Sequence, residues 1–412
     1  MANLVPGKIG IFTNFIFQQY AMGNKFKIEF YVDGTLVSEN RIDDIGRFLN
    51  DPYSDKYIIT DSSVTEKVSY KIIFDHYIPV QHLQSINYVA FAGHNFNSSI
   101  FASGRCEISW GKIVRSDTGA QVSAIHHYTS SQMIGGELRS LQSITDGFSG
   151  VNIGIKGDGF GLSSFKGYDH VDYIEESGTR ISLMTKEIWV ELYKSDSNAV
   201  TFGTGTDIRN PILNSIMIGN HWKSDREPNT GSSVSLDSNH YTVKKTTGGK
   251  DIINTNYLGR PMFSQAERLP AFELLDDTSG SGVNWGNWKN RPNIFTSLPR
   301  KSFKCNFNYF DVDKIFPDHL AQVGHNNDYL YSSVYSGTGT YDSFYEAVIY
   351  PTINGQCSVL FCFSTNDESE DTGVMGIDPS SFCMARLSGN ELNFQEVAPN
   401  LYDIAIEVEE IW

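Results

Sequence analysis

The sequence has few cysteines, little charge and no long apolar run. Five cysteines in 412 residues are an odd number and too sparse for the disulfide framework of a small secreted domain, so we expect reduced thiols. The apolar run from Ile9 to Phe17 is interrupted by Thr13 and Asn14, and it is too short to span a bilayer. Since it also lacks the basic region and the cleavage site of a signal peptide, we predict a strand here and assembly in the cytoplasm of a producing cell.

Sequence motifs for catalysis, metal binding and cofactor binding are also missing. The chain has no G-x-S-x-G, no H-E-x-x-H, no Walker loop and no C-x-x-C. Asp311, Asp313 and Asp318 crowd one segment, but their spacing lacks the glycine and the terminal glutamate of an EF-hand loop. We therefore predict no catalytic residue, no metal site and no cofactor.

Acidic residues outnumber basic residues by 48 to 32, which gives a formal net charge of −16. Such a charge repels nucleic acid and anionic lipid, so the sequence favours neither a nucleic acid nor a membrane as a partner. A simpler role for the acidity is to keep a sheet-rich surface soluble and to discourage pairing of strand edges.

The abundant residues are aromatic residues and glycine. With 26 Phe, 21 Tyr and 36 Gly, the composition favours pleated, turn-rich structure, and stretches of helical period are few. Phe26–Val32 alternates apolar and polar residues and is followed by Asp33-Gly34, which predicts a hairpin turn. Lys301–Phe310 alternates in the same way. Its residues predicted to point inward are Phe303, Cys305, Phe307 and Tyr309. We predict a mostly β fold.

The segment Ile78–Trp110 alternates strand-like apolar residues around a Gly93-His94-Asn95 corner, a pattern typical of jelly rolls. Its sequence YVAFAGHNF, which follows the strand FDHYIPV, resembles the discoidin-like (galactose-binding-like) modules of tailed-bacteriophage virion proteins. The resemblance implies a β-sandwich in which this corner closes one strand and opens a loop.

A second resemblance lies at the other end of the chain. Virion structural proteins of marine tailed phages have an aromatic-alternating strand, a short FY-x-x-V-I segment, a strand near a Met-Ala pair, and a closing strand that ends on Glu and Trp. The chain is similar in the order of four segments, namely Lys301–Phe310, Phe344–Tyr350, Phe382–Leu387 and Asn393–Trp412. The resemblance implies a place in the tail or baseplate of such a particle.

The chain is predicted to have three parts. Residues 1–220 would form a discoidin-like jelly roll with an insertion at about 111–186, residues 221–300 an extended arm, and residues 301–412 a C-terminal β-domain with long loops. Short helices are predicted at Arg41–Asn50 and Tyr341–Ile349. The arm contains Asp276–Asn284, which is too polar and too rich in glycine to form a core.

The candidate binding residues are His94 and Asn95 at the corner, together with Trp222, Trp285 and Trp288 near polar loops. Rim loops of jelly rolls often bind sugars, although an imidazole in such a corner more often fixes the turn by bonding neighbouring backbone. The three tryptophans suit either a carbohydrate-stacking surface or anchors of a subunit interface, and both interpretations are open.

The sequence therefore predicts a non-enzymatic structural component of a tailed-phage virion, assembled in the host cytoplasm. It would act in the tail or baseplate as a scaffold or fibre-attachment protein, with other virion proteins (tail tube, baseplate or fibre subunits) and copies of itself as partners. The alternative is a receptor-binding, lectin-like protein that holds host surface glycan. A glycan-degrading enzyme is a third and weaker alternative, because it would need two carboxylates about 5 to 9 Å apart.

Overall fold

The computed structural model describes residues 8–39, 57–58, 63–64, 67–80, 86, 88–92, 106–111, 113–121, 160–164, 173–193, 200–201, 203–204, 207–208, 212–213, 215–237, 241–255, 300–316, 343–353, 355–365, 382–388 and 394–411. In these ranges the chain is mostly β, which confirms the predicted fold class. The helix predicted at Arg41–Asn50 lies outside the described residues.

The strands of the first part of the chain are β1 (Lys8–Thr13), β2 (Phe26–Val32), β3 (Thr35–Glu39), β4 (Tyr57–Ile58), β5 (Ser63–Val64), β6 (Lys67–Pro79), β7 (Tyr88–Ala92), β8 (Cys106–Trp110), β9 (Val114–Arg115), β10 (Phe160–Ser164), β11 (Tyr173–Glu176) and β12 (Thr179–Tyr193). The middle of the chain contributes β13 (Val200–Thr201), β14 (Gly203–Thr204), β15 (Asp207–Ile208), β16 (Ile212–Leu213), β17 (Ser215–Gly219), β18 (His221–Lys223), β19 (Ser233–Asp237), β20 (Tyr241–Lys245) and β21 (Asp251–Thr255). The last strands are β22 (Arg300–Asp311), β23 (Val359–Thr365), β24 (Phe382–Leu387), β25 (Phe394–Ala398) and β26 (Leu401–Glu410). The helical elements are α1 (Phe15–Ala21), α2 (Val312–Ile315) and a π-helical turn at Tyr345–Ile349.

Seven strands form the N-terminal sheet, in the order β11-β12-β6-β2-β3, with β8 and β9 also pairing with β12. All of its neighbouring strands are antiparallel. The alternation predicted from the sequence is confirmed, because every second residue from Phe26 to Val32 belongs to a hydrophobic core. Asp33 and Gly34, with φ angles of 49° and 80°, form the predicted hairpin turn between β2 and β3.

Eight strands form the C-terminal sheet, in the order β18-β1-β23-β24-β26-β22-β19, with β25 attached to β26. Ile404, Ile406 and Val408 of β26 point into a core, since apolar residues occupy alternate positions of this strand. The sheet also contains β1, whose Phe12 pairs with Leu360 of β23. Strands from the predicted N-terminal jelly roll and from the predicted C-terminal domain therefore share one sheet.

Tyr309 does not point inward as the alternation predicts. Its side chain is 58% exposed, whereas Phe310 is buried. The register between β22 and β26 shifts between Phe307 and Phe310, and Tyr309 has a φ of 59°, so an extra residue is accommodated at this point. Because of this extra residue, each side chain after the bulge points to the face of the sheet opposite to the one that the alternation predicts.

The apolar run Ile9–Phe17 is a strand only as far as Thr13. Helix α1 begins at Phe15, because the side-chain oxygen of Asn14 accepts hydrogen bonds from the backbone N–H groups of Ile16 (3.1 Å) and Phe17 (3.2 Å). The second predicted helix, Tyr341–Ile349, is confirmed only in its last part, as the π-helical turn.

The side chains of four cysteines are described, and all four are buried thiols outside any disulfide, as the odd cysteine count predicts: Cys305, Cys357, Cys362 and Cys383. Burial raises the pKa of the thiols of Cys305 and Cys357 to about 12. These thiols therefore stay protonated at neutral pH and serve as small apolar residues.

The described residues form two hydrophobic cores. The first core lies between the N-terminal sheet and β7 and β17, and α1 contributes to it through Phe15 and Ile16. The second core lies on one face of the C-terminal sheet, where Ile315 of α2 and Phe344 beside the π-helical turn cover it.

The three-stranded sheet β10-β7-β17, which we call the middle sheet, separates the first core from the C-terminal sheet. Val89 and Phe91 of β7 belong to the first core. On the opposite side of the strand, Tyr88 packs edge-to-face against Phe12, with ring centroids 5.1 Å apart, and Phe12 lies 5.8 Å from Phe382. Residues 88 to 91 are all 2% exposed or less, so β7 is buried on both faces.

The middle sheet meets the C-terminal sheet where two chain segments cross, at Thr13 and Gly219. The hydroxyl of Tyr88 donates a 2.7 Å hydrogen bond to the backbone oxygen of Thr13. The N–H and the hydroxyl of Thr13 both donate to the backbone oxygen of Asn220, at 2.8 and 3.0 Å. A β-carbon on Gly219 would overlap the backbone oxygen of Thr13, so this approach requires glycine.

We expect Gly219→Ala to lower the free energy of unfolding by about 3 kcal/mol, since backbone and not a flexible side chain blocks the added methyl group. Urea unfolding followed by circular dichroism measures the change. Gly248→Ala is the matched control, because a β-carbon there meets only the Thr246 side-chain oxygen at 3.9 Å, an ordinary contact. Equal stability of the two variants would contradict this account of the crossing.

Candidate functional site

The solvent side of the N-terminal sheet carries an ordered set of charged and aromatic side chains. They come from β2, β6 and β12 at positions that alternate with residues of the first core. We call this set the outer face. Its members are Lys27, Glu29, Tyr31, Lys67, Ser69, Lys71, Glu187, Trp189 and Glu191.

Strand register places these residues in rows across the sheet. Trp189 of β12 is opposite Lys71 of β6, which is opposite Glu29 of β2. The next row along the strands consists of Glu191, Ser69 and Tyr31 in the same order. Directly opposed side chains in an antiparallel sheet are close enough to interact, so the rows form a continuous network.

Three ion pairs link the rows. Lys67 Nζ lies 2.7 Å from Glu191 Oε1, Lys71 Nζ lies 3.2 Å from Glu187 Oε1, and Lys27 Nζ lies 2.8 Å from Glu29 Oε1. The side chains of Glu29 and Glu191 are each only 10% exposed. Partial burial reduces the screening of these pairs by water and fixes the positions of the charged groups.

Two aromatic rings lie at the centre of the outer face. The Trp189 ring is 5.2 Å from the Tyr31 ring between centroids, at an interplanar angle of 43°. Lys71 Nζ is 5.0 Å from the centroid of Trp189, a favourable cation–π distance. Both rings remain partly exposed. The indole is thus positioned from two sides before any ligand is present.

Tyr31 and Glu29 are joined by a 2.7 Å hydrogen bond from the phenol to the carboxylate. Burial, followed by this hydrogen bond, raises the pKa of Tyr31 to about 12. Burial also raises the pKa of Glu29, but hydrogen bonds from Lys27 and Tyr31 and the charge of Lys71 outweigh it and leave that pKa below its usual value. Glu29 is therefore an ionised acceptor at neutral pH and not a proton donor.

The position of Glu187 depends on a bulge and on a glycine. The register between β12 and β6 shifts between Thr185 and Glu187. Gly111 donates a 2.8 Å hydrogen bond from its N–H to the backbone oxygen of Glu187, and its own backbone oxygen accepts a 3.0 Å bond from the Thr185 hydroxyl. A β-carbon at Gly111 would overlap the Glu187 side chain, so glycine leaves the space in which that carboxylate turns towards Lys71.

The outer face has the chemistry of a binding surface. It contains aromatic rings, ammonium donors and carboxylate acceptors, and its one serine, Ser69, is buried and donates a 3.3 Å hydrogen bond to Glu191. Across the ranges that the structure describes, no group of three or more His, Cys, Asp or Glu side chains could hold a metal ion. Within the same ranges, no helix has the length and apolar character needed to cross a membrane.

The predicted site residues are not brought together at this face. Trp222 lies in the second core, is 6% exposed, and packs edge-to-face on Phe344 with centroids 4.9 Å apart. A buried indole cannot stack on a sugar or anchor a neighbouring subunit, so its role is in the core. His94, Asn95, Trp285 and Trp288 lie outside the described residues.

The predicted acidic segment is partly described. Asp311 is exposed and precedes α2 as its N-cap residue, without a hydrogen bond from its side chain to the helix. Asp318 and the side chain of Asp313 lie outside the described residues. No grouping of these three carboxylates is therefore visible.

Sequence reasoning missed the outer face, although a signal for it was present. In Glu187-x-Trp189-x-Glu191 and in Lys27-x-Glu29-x-Tyr31, charged and aromatic residues share the positions that alternate with the core. Each strand alone looks like an ordinary solvated strand. Only the pairing of β12 and β2 with the two edges of β6 brings Trp189 and Tyr31 together.

His221 is a partly buried polar residue at the crossing of the sheets. Its ring stacks on Phe12, the residue opposite it in β1, with centroids 5.6 Å apart and an interplanar angle of 26°. Burial, and to a smaller extent the charge of Lys223, lowers the pKa of His221 to about 4. The folded protein thus prefers the neutral imidazole.

Because the unfolded chain binds a proton at this imidazole near pH 6.5 and the folded chain only near pH 4, stability should fall as pH falls through this interval. We expect the free energy of unfolding to fall by on the order of 2 kcal/mol between pH 6.5 and pH 4, after allowance for partial exposure of the ring. Urea unfolding at a series of pH values should show a weaker pH dependence in His221→Phe. The control Gly248→Ala, at an exposed position, removes no titratable group and should keep the slope of the unmodified protein. An unchanged slope in His221→Phe would contradict the burial argument.

Comparison of the chain with models of protein families, with curated proteins and with solved structures found no match. The fold, the outer face and the sequence resemblances are therefore the observations on which a function can be proposed.

Proposed function

We propose that this chain is a non-enzymatic structural component of a tailed-phage virion, most suited to a scaffold or fibre-attachment role in the tail or baseplate. The proposal starts from the resemblance of Ile78–Trp110 and of the segments after Lys301 to virion proteins. Its partners would be tail-tube, baseplate or fibre subunits and further copies of the chain, and its location would be the assembled particle.

The structural observation that carries the proposal is the joining of the two resembling segments into one body. Tyr88, from the first segment, contacts Phe12, and Phe12 contacts Phe382, from the second. A subunit that holds its neighbours in fixed positions needs such a rigid body, because a hinge between separate domains would let those neighbours move relative to each other.

Strand edges that have no partner among the described residues also support a scaffold role. In the described part of the chain, β19 pairs only with β22 and β3 pairs only with β2. Val234 on β19 is 46% exposed and Leu36 on β3 is 48% exposed. An edge with exposed apolar side chains can accept a strand from a neighbouring subunit. Such strand addition joins subunits through main-chain hydrogen bonds.

The lectin-like alternative depends on the rim corner at His94 and Asn95, which lies outside the described residues. No feature of the described residues favours that rim as a glycan site. The alternative of a glycan-degrading enzyme gains no support from Glu29, because its pKa is lowered and an acid catalyst needs a raised one.

Particles purified from cells that produce the phage provide the test. We expect quantitative mass spectrometry to find the chain in gradient-purified particles at a fixed ratio to the major tail protein, and immunogold labelling to place it at one end of the tail. A host cytoplasmic protein is the contamination control. Recovery of the chain only in the soluble lysate, at no fixed ratio to tail protein, would reject the proposal.

A further inference from the structure

The outer face differs from the rest of the chain in its charge balance. Three lysines, at positions 27, 67 and 71, stand beside three glutamates, at positions 29, 187 and 191. The whole chain, in contrast, carries 48 acidic and 32 basic residues. Because each of these lysines lies within 3.2 Å of one of the glutamates, the charges of this set are paired, and the acidic chain as a whole repels polyanions, so a neutral partner suits the face.

The face also offers hydrogen-bond donors and acceptors side by side. Lysine ammonium groups only donate and ionised carboxylates only accept, whereas a hydroxyl group can do both. The side chains of Lys27 and Lys67 are 37% and 22% exposed, and that of Glu187 is 16% exposed. A partner with many hydroxyl groups would match this alternation of donors and acceptors better than an apolar partner would.

The central rings supply the apolar part of the surface. Trp189 and Tyr31 are partly exposed, and their positions are fixed by Lys71 at 5.0 Å from the indole and by Glu29 at 2.7 Å from the phenol oxygen. Because these contacts already hold the rings, a ligand that stacks on them loses little free energy to side-chain ordering. Stacking needs a flat ligand surface of C–H groups, as the faces of pyranose rings provide.

We propose that the outer face binds a neutral glycan, with Trp189 and Tyr31 stacking on pyranose rings and the flanking lysine–glutamate pairs bonding their hydroxyl groups. The three strands give a surface about 10 Å across and about 13 Å along, from the ordinary spacing of strands and residues, which accommodates a short oligosaccharide. The inference rests on the face alone and does not depend on a virion role for the chain.

Affinity electrophoresis of the full chain through gels containing dextran, galactan or mannan, with dextran sulfate as the charged comparison, tests the inference. Titration calorimetry then measures the affinity for the neutral polymer that retards the chain. Trp189→Ala and Tyr31→Ala remove a ring each, whereas Tyr31→Phe keeps the ring and removes the bond to Glu29. Tyr309→Ala is the matched control, because Tyr309 is a 58% exposed tyrosine in the C-terminal sheet. Melting temperatures establish that each variant is folded.

We expect at least one of the three polymers to retard the unmodified chain. Trp189→Ala should bind it at least tenfold more weakly, Tyr31→Phe and Tyr309→Ala within about threefold of the unmodified chain, and 1 M salt should leave binding nearly unchanged. The inference is overturned if none of the polymers retards the chain, if a folded Trp189→Ala binds as the unmodified chain does, or if only dextran sulfate binds and salt abolishes it. Should Trp189→Ala fail to fold, the affinities of Tyr31→Ala and Tyr31→Phe are compared instead. Weaker binding by Tyr31→Ala alone supports the inference, and equal binding by the two variants overturns it.

Discussion

Strand β7 of the middle sheet is buried on both faces from Tyr88 to Phe91, and the arrangement of the other sheets follows from this constraint. One face of β7 contributes Val89 and Phe91 to the first core, and the other face presents Tyr88 to Phe12. A polar group buried at such a position is costly unless it is bonded, and the Tyr88 hydroxyl is bonded to the backbone oxygen of Thr13. The strand therefore connects the N-terminal and C-terminal sheets by burying apolar surface on both sides.

That connection explains why both ends of the described chain lie in one sheet. Strand β1 brings Phe12 to the middle sheet and pairs with β23, and the chain returns to β1 as β18 directly after β17. The crossing at Thr13 and Gly219 leaves no room for a side chain. A single close approach of two backbones thus sets the distance between the middle sheet and the C-terminal sheet.

Much of the secondary structure was predictable because its cause is local. Alternation predicts the inward face from Phe26 to Val32, and Asp33-Gly34 predicts the turn, since each depends on residues next to each other in sequence. The bulge at Tyr309 was not predictable, because the pattern CNFNYF continues to alternate as far as Tyr309 and only the register with β26 reveals the extra residue. The sharing of a sheet by β1 and β23 was hidden for a similar reason, since partner strands are chosen by tertiary packing.

The candidate site was less predictable than the fold. Aromatic residues near polar segments suggested Trp222, but its neighbours in space, Phe344 among them, make it a core residue. The alternation of β12 places Trp189 on the face opposite Ile188 and Val190, which indicates only an ordinary solvated position. Its relation to Tyr31 and Lys71 arises from the order of β12, β6 and β2 in the sheet, which the sequence does not encode at short range.

Native-state hydrogen exchange tests most directly whether the middle sheet makes the two cores one cooperative unit. The account predicts that the slowest amides of β6, β7 and β26 exchange with one common free energy of opening, equal to that of global unfolding. Separate values for β6 and β26 that differ by about 2 kcal/mol or more would contradict it, because the two sheets would then open independently of each other.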